Sequence, residues 1–267
     1  MKTRPRYSAV LITRDAAATL PRCLQALRDV PEVVVYDNGS RDPTREIARA
    51  HPNVRLVEGP FEGFGPTKNR AVEAARHDWI LSLDADEFMN EPLLAAIEAW
   101  IAQAPPEAVA ELLRENHFLG RPVHVAGLGG DWLVRVFNRR HHRFTDAPVH
   151  ERVAVAPNTP TTRLRPAFEH QNVTDVSQYL RKLDLYSELY ARAHPDKRLP
   201  LPVVVLRAGW AFLQAYLLQA GFTAGWRGLT LALGRFYVVY FKFIKIRAGQ
   251  ERPTPGPDRP RGPGIGR

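Results

Sequence analysis

Asp84 and Asp86 stand two residues apart, directly behind the apolar run Trp79-Ile80-Leu81-Ser82-Leu83. Two carboxylates at that spacing on a turn can face one hard cation. Mg2+ and Mn2+ prefer oxygen ligands, phosphate oxygens among them. A divalent ion held there would clamp a diphosphate and neutralise the charge that builds as it leaves. The chain holds 13 aspartates in 267 residues, so about 0.6 such triplets arise by chance and the surroundings must carry the reading. A solvated strand-end turn is the plain alternative.

A second acid, Asp37, closes the run Val33-Val34-Val35-Tyr36 and opens Asp37-Asn38-Gly39-Ser40. At a strand end it can accept a hydrogen bond from the N–H of a nucleotide base. The same four residues are good turn formers, and Ser40 or Asp42 could simply cap the next helix. Lys68 and Arg70 follow the glycine-rich loop Gly59–Gly65 at a helix start, where a cation can face a phosphate or be ordinary surface charge.

These residues need a scaffold that gathers them, and the first hundred residues supply one. Apolar runs at 9–12, 33–36, 54–57 and 79–83 read as strands. Helical stretches intervene at about 43–50 and 66–76, with another from Pro92 to about 103; the first helix is capped by Thr19, with Pro21 in its first turn. Strands alternating with helices at this spacing predict an α/β fold with a mostly parallel, Rossmann-like sheet flanked by helices. Ligands then bind beyond the carboxyl ends of the strands. Thr13-Arg14-Asp15, Asp37–Ser40 and Asp84–Glu87 all fall at such ends.

From about 105 the pattern changes. A short helix to Glu115 is expected, then strands around Val123/Val125, Val134/Val136 and Val153/Val155, each pair two apart as on a half-buried strand. A charged helix covers about 176–193. The division expected is a catalytic domain over 1–175 (donor half 1–104, acceptor half 105–175), a helical region over 176–247 and an unstructured Pro/Gly/Arg-rich tail over 248–267.

Charge sharpens this division. Residues 1–162 hold 20 Lys/Arg against 21 Asp/Glu, and residues 163–267 hold 17 against 7, so the whole net charge of +9 lies in the second part. An anionic surface is therefore met by that part. Residues 208–226 carry no charge but are diluted by Gln and Gly, and Arg207, Arg227, Arg235, Lys242, Lys245 and Arg247 flank their aromatics. This composition suits helices lying in the cytoplasmic leaflet better than a spanning helix, which needs about 20 mostly apolar residues. A packed helical subdomain is the alternative. The single cysteine, Cys23, excludes a disulfide framework. The N-terminal apolar run is too short for a signal-peptide core, which places the catalytic part in the cytoplasm. No nucleic-acid-binding motif accompanies the basic charge, so nucleic acid is not an expected partner.

Taken in order, Thr13-Arg14-Asp15, Val34-Val35-Tyr36-Asp37-Asn38-Gly39-Ser40, Gly63-Phe64-Gly65-Pro66-Thr67-Lys68-Asn69-Arg70 and Leu83-Asp84-Ala85-Asp86-Glu87 resemble the motifs of an inverting family 2 glycosyltransferase with the GT-A fold. Arg135–Arg139 and Val149-His150-Glu151 extend the similarity. Within the family, the chain is most similar to the WaaE-like bacterial enzymes that add a sugar to the lipopolysaccharide inner core.

The resemblance implies that Asp37 binds the base of a nucleoside diphosphate sugar, a UDP-hexose with glucose as the first choice. Thr13 and Asp15 would line the same pocket, with Lys68 and Asn69 near ribose and base. Asp84 and Asp86 would hold the divalent metal and the diphosphate. Asp15-Ala16 departs from the Asn-Glu found in many relatives.

An inverting transfer needs a base for the acceptor hydroxyl. Asp131, after Gly129-Gly130, is the first candidate and Glu151 the second. His150 would be a third metal ligand or an acceptor contact. Arg135, Arg139 and Arg140 open a basic run that is either solvated surface or a seat for the phosphates and carboxylates of a lipid-linked acceptor. The expectation is thus a metal-dependent hexosyltransferase of lipopolysaccharide biosynthesis, peripheral to the cytoplasmic face of the inner membrane. A sugar-nucleotide-forming nucleotidyltransferase is disfavoured, because no glycine follows the first strand to cradle a triphosphate. A non-catalytic membrane-associated adaptor of the same fold is the third reading.

Overall fold

The computed structural model describes residues 5–147 and 151–251. The described residues divide into two compact units, the first lying within 1–124 and 129–172, the second within 125–128 and 173–267.

In the first unit the βα alternation is realised as β1 (Tyr7–Thr13), α1 (Leu20–Ala26), β2 (Glu32–Asp37), α2 (Thr44–Arg49), β3 (Val54–Glu58), α3 (Phe64–Glu73), β4 (Trp79–Asp84), β5 (Glu87–Phe88) and α4 (Glu91–Ile101). Then come β6 (Val109–Phe118), β7 (Arg121–Pro122), β8 (Asp131–Asn138) and β9 (Thr161–Val173). Among the described residues nine strands form one sheet, in the order β3-β2-β1-β4-β8-β6-β9-β5, with β7 on β6. β1 to β4 are mutually parallel, whereas β8 runs antiparallel to β4 and β6 antiparallel to β8. This is the α/β sheet with flanking helices that the sequence predicts, mixed rather than wholly parallel.

The parallel strands read as continuous apolar runs because both faces are covered. Ala9, Leu11, Val33, Val35, Leu81 and Leu83 enter one core with Leu24, Leu93 and Ile97. Val10, Val34, Tyr36 and Ile80 enter the other with Ala71 and Val72.

Three expectations shift. Val109–Phe118 is a strand, although Glu111-Leu112-Leu113-Arg114-Glu115 favours a helix, since pairing with β8 overrides a weak local preference. Val123 and Val125 lie in no strand, and Val153 makes only an isolated bridge to Phe144. β9 had no clear signal. Its apolar residues are few, and the edges of β6 and β5 recruit it.

The second unit contains α5 (Val176–Ala193), α6 (Leu201–Leu213) and α7 (Gly225–Glu251). A π turn (Gln214–Leu218), a left-handed Ala220 (φ 54) and a 3-10 turn (Gly221–Ala224) lie between the last two. Val204 at the start of α6 packs on Phe243 and Ile246 late in α7, so the two helices form an antiparallel hairpin. Residues 248–251, expected in the tail, belong to α7, and the rest of that tail lies outside the described residues.

Candidate active site

Register sets the site. Thr13 pairs with Asp37 and Ile12 with Asp84, so β2 and β4 deliver their acids on either side of the end of β1. With strands ~4.8 Å apart, the two backbones stand roughly 10 Å from each other. The antiparallel direction of β8 brings its first residues to the same rim, whereas Asn138 pairs with Trp79 at the opposite edge.

Strand alternation aims the two acids differently. Asp37 shares its face with Thr13, and Asp84 shares the opposite face with Ile12. The Asp37 carboxylate is buried at 1 % exposure. It accepts hydrogen bonds from the Gly39 and Ser40 amides (3.2 and 3.0 Å), from the Thr13 hydroxyl (3.3 Å) and from the Ser40 hydroxyl. It therefore ties down its own turn, in which Gly39 holds φ +100. Asp15 is exposed and accepts from the Arg41 amide at 2.7 Å, which joins the ends of β1 and β2.

Asp84 heads a charged network. Lys68 of α3, only 4 % exposed, places Nζ 2.9 Å from Asp84 and 2.8 Å from Glu151. Arg135 of β8, 5 % exposed, reaches the other Asp84 oxygen at 3.3 Å and also pairs with Glu87, which is fully buried. Glu87 in turn accepts from the Asp84 amide at 3.0 Å. Burial alone would raise the Asp84 carboxyl, but Lys68 and Arg135 outweigh it and hold it well below the usual carboxylate range. For Glu87 burial wins, helped by the Asp84 charge, and its carboxyl is raised. Lys68 stays raised despite its burial because Asp84 and Glu151 face it.

A cavity of about 680 Å3 opens beside this network. Lys68, Asp84, Arg135 and Glu151 line it, together with Trp132, Phe144 and Arg152. α3 can approach so closely because Gly65 lacks a side chain: a Cβ there would meet the Thr145 carbonyl oxygen at 1.9 Å.

Asp86 follows on the turn after β4, and its side chain is 39 % exposed. Its carboxylate lies 3.5 Å from Nε2 of His170, a β9 residue held in place by the Glu87–His170 pairing and by the Gln171 amide on the Asp86 carbonyl (2.9 Å). Asn116 donates from Nδ2 to the Gly129 carbonyl (3.2 Å), so its Oδ1 faces His170 Nδ1 at 2.8 Å. With Nδ1 engaged by Asn116, it is Nε2 that faces Asp86. His170 is the site residue that the sequence pattern does not reveal. A histidine 84 positions after Asp86 on a weakly patterned strand carries no local signal.

Other expected residues are placed elsewhere or are otherwise engaged. Both Asp84 oxygens hold nitrogen cations. Arg135 pairs with Asp84 and Glu87 on the cavity wall. Arg139 and Arg140 lie at the opposite edge of the sheet. There Arg139 donates to the Val72, Glu73 and Ala75 carbonyls at the end of α3, and Arg140 pairs with Asp78 at 2.8 Å. The cause is the direction of β8, which carries its C-terminal residues away from the rim. Both amide atoms of Asn69 clamp the Phe144 backbone (3.0 and 2.9 Å). Asp131 is exposed, pairs with Arg114 at 2.9 Å and is not among the cavity-lining residues, whereas Glu151 is one of them. His150 lies outside the described residues.

Residues 8–122 match the family described as Glycosyl transferase family 2. A TPR repeat-containing protein of Synechococcus elongatus is 37% identical over 150 residues, 55% of this chain; the match spans about a third (35%) of that protein's length. A glycosyltransferase of Rickettsia prowazekii with no assigned reaction is 23% identical over 256 residues, covering 91% of this chain and 87% of the relative. LpsC of Rhizobium meliloti, a lipopolysaccharide core biosynthesis glycosyltransferase, is 22% identical over 246 residues, 90% of this chain and 91% of that protein. Residues 8–122, less than half of the chain, are thus similar to glycosyl transferase family 2.

Proposed function

We propose that the protein moves a hexose, glucose on the present reading, from UDP-hexose to a lipid-linked saccharide of the lipopolysaccharide core type, with inversion. The observation that carries this is the ionised Asp84, held by buried Lys68 and Arg135 on the wall of a sugar-nucleotide-sized cavity at the strand ends. The family supports the reaction class, and the LpsC likeness supports the acceptor class.

In this reading the acceptor hydroxyl attacks the anomeric carbon while the bond to the diphosphate breaks. The hydroxyl proton passes to a carboxylate, and Glu151, the candidate base that lines the cavity, is 16 % exposed. Lys68 places a fixed positive charge between Asp84 and Glu151, suited to the departing phosphates. The Asp37 turn and Thr13 form the floor on which the base would rest, with Asp15 at its exposed side. Asp86 and His170 Nε2 are the donor set that fits a divalent cation, Mg2+ or Mn2+, because neither is enclosed by cations as Asp84 is. Bound there, the ion would neutralise diphosphate charge.

A donor screen reading nucleoside diphosphate release with extracted lipopolysaccharide precursors tests the proposal. UDP release that requires precursor and disappears in Asp86→Ala is expected. Pyrophosphate release, or full transfer by Asp86→Ala, would overturn it.

The helical unit gives the acceptor a surface. Leu206, Trp210, Leu213 and Leu217 of the α6 hairpin arm are 44–73 % exposed, and Trp226, Leu229 and Leu233 of α7 are 40–56 % exposed. Residues 201–250 contain six Lys/Arg and no Asp/Glu. Leu201–Leu218 is apolar and long enough to cross a membrane by length and composition, yet it pairs with α7, which would carry Arg235 and Lys242 into the hydrocarbon. The hairpin therefore lies in the plane of an anionic bilayer. Flotation with phosphatidylglycerol vesicles should be lost in Trp210→Ser/Leu217→Ser and weakened by salt. Equal flotation with neutral vesicles would refute the electrostatic part.

A further inference from the structure

The far wall of the cavity contains an aromatic flanked by cations. Trp132, second residue of β8, is half-buried and lines the same cavity as Asp84 and Glu151. Arg163 and Arg165, two apart on β9 and hence on one face, place their guanidinium carbons 5.0 and 5.3 Å from its ring centroid. Arg163 is held by Glu111 of β6 at 2.9 Å.

The charges around the cavity do not cancel. Lys68 and Arg135 are matched by Asp84, Glu87 and Glu151, Arg114 by Asp131, and Arg163 by Glu111. Arg165, and Arg152 on the cavity wall, have no acidic partner among the described residues. The Arg165 guanidinium beside the indole, with Arg152 elsewhere on the wall of the same cavity, offers donors for an oxyanion next to an aromatic platform.

We propose that Trp132, Arg163 and Arg165 form a subsite for an anionic sugar unit of the acceptor. The indole stacks on the apolar face of the pyranose, and Arg165, helped by Arg152, takes a phosphate or carboxylate substituent. This rests on the transferase reading and names the acceptor chemistry that the site selects. In this proposal residues of β8 and β9 take the role that the sequence suggested for the run opened by Arg135, Arg139 and Arg140.

Calorimetry on the full chain with glucose 6-phosphate, glucuronate, glucose and inorganic phosphate tests it, with UDP titrated separately. At least one anionic sugar should bind tenfold or more tightly than both glucose and inorganic phosphate. Trp132→Ala and Arg165→Gln should each weaken that binding at least tenfold, Trp132→Phe should restore most of it, and UDP affinity should change less than twofold. Arg165 is exposed, so Arg165→Gln is read without a folding defect. Absence of anionic-sugar binding, equal affinity for glucose or phosphate, or retention in both variants would overturn the subsite. Failure of UDP to bind the unaltered protein would instead strike the donor reading, whatever the sugar titrations show.

Discussion

Replacing Arg135 by Met tests the network that holds the site together. Arg135 is 5 % exposed and neutralises Glu87, which is fully buried, while Asp84 retains Lys68. After the substitution Glu87 keeps the Asp84 amide and Arg114, 4.0 Å away, with His170 nearby. Removing one partner of a buried pair leaves an uncompensated charge, at a cost of about 3–5 kcal/mol. The pH dependence has a definite sign. The Glu87 carboxyl is already raised in the folded state and rises further without Arg135. The folded state then binds a proton that the unfolded state releases, so stability falls as pH climbs from the unfolded value through the raised folded one. The deficit relative to the unaltered protein should therefore be larger at pH 8 than at pH 5.5. Pairing Arg135→Met with Glu87→Met removes the stranded charge and should recover at least ~2 kcal/mol. Urea unfolding followed by tryptophan emission measures all three variants at both pH values. A single-variant loss below ~1 kcal/mol, a deficit that grows towards acid, or a double variant no better than the single would refute the reasoning.

Gly65→Ala should destabilise by about 1–3 kcal/mol or shift α3, since its Cβ meets the Thr145 carbonyl oxygen; thermal unfolding reads this. Asn69→Leu removes both bonds to the Phe144 backbone and should cost about 2–3 kcal/mol, with hydrogen exchange rising at Phe144. Asn116→Ala frees the His170 ring and should weaken Mn2+ binding about 10–100-fold in a titration without donor; unchanged affinity would remove His170 from the metal seat. Acidification should leave the Asp84 pairs intact until well below pH 4, because its folded carboxyl is depressed and its stabilisation is lost only as pH falls through that low value.

The parallel half of the fold is legible in the local residue pattern. Apolar runs of four to six residues ending in Asp or Thr-Arg-Asp can only be strands buried on both faces, and turn chemistry marks where each stops. Those signals are local, and they suffice to bring Asp37, Asp84 and Asp86 to one rim. Whatever depends on pairing between distant strands has no such local signal. Val109–Phe118 became a strand because β8 offered it a ladder. The direction of β8 put Arg135 into the network and sent Arg139 and Arg140 to the far edge. β9, with little apolar pattern of its own, carried His170 to Asp86 and two arginines to Trp132. A carboxylate's partners are set by which strands lie beside it, and that is a property of the sheet rather than of the residues around it in the chain.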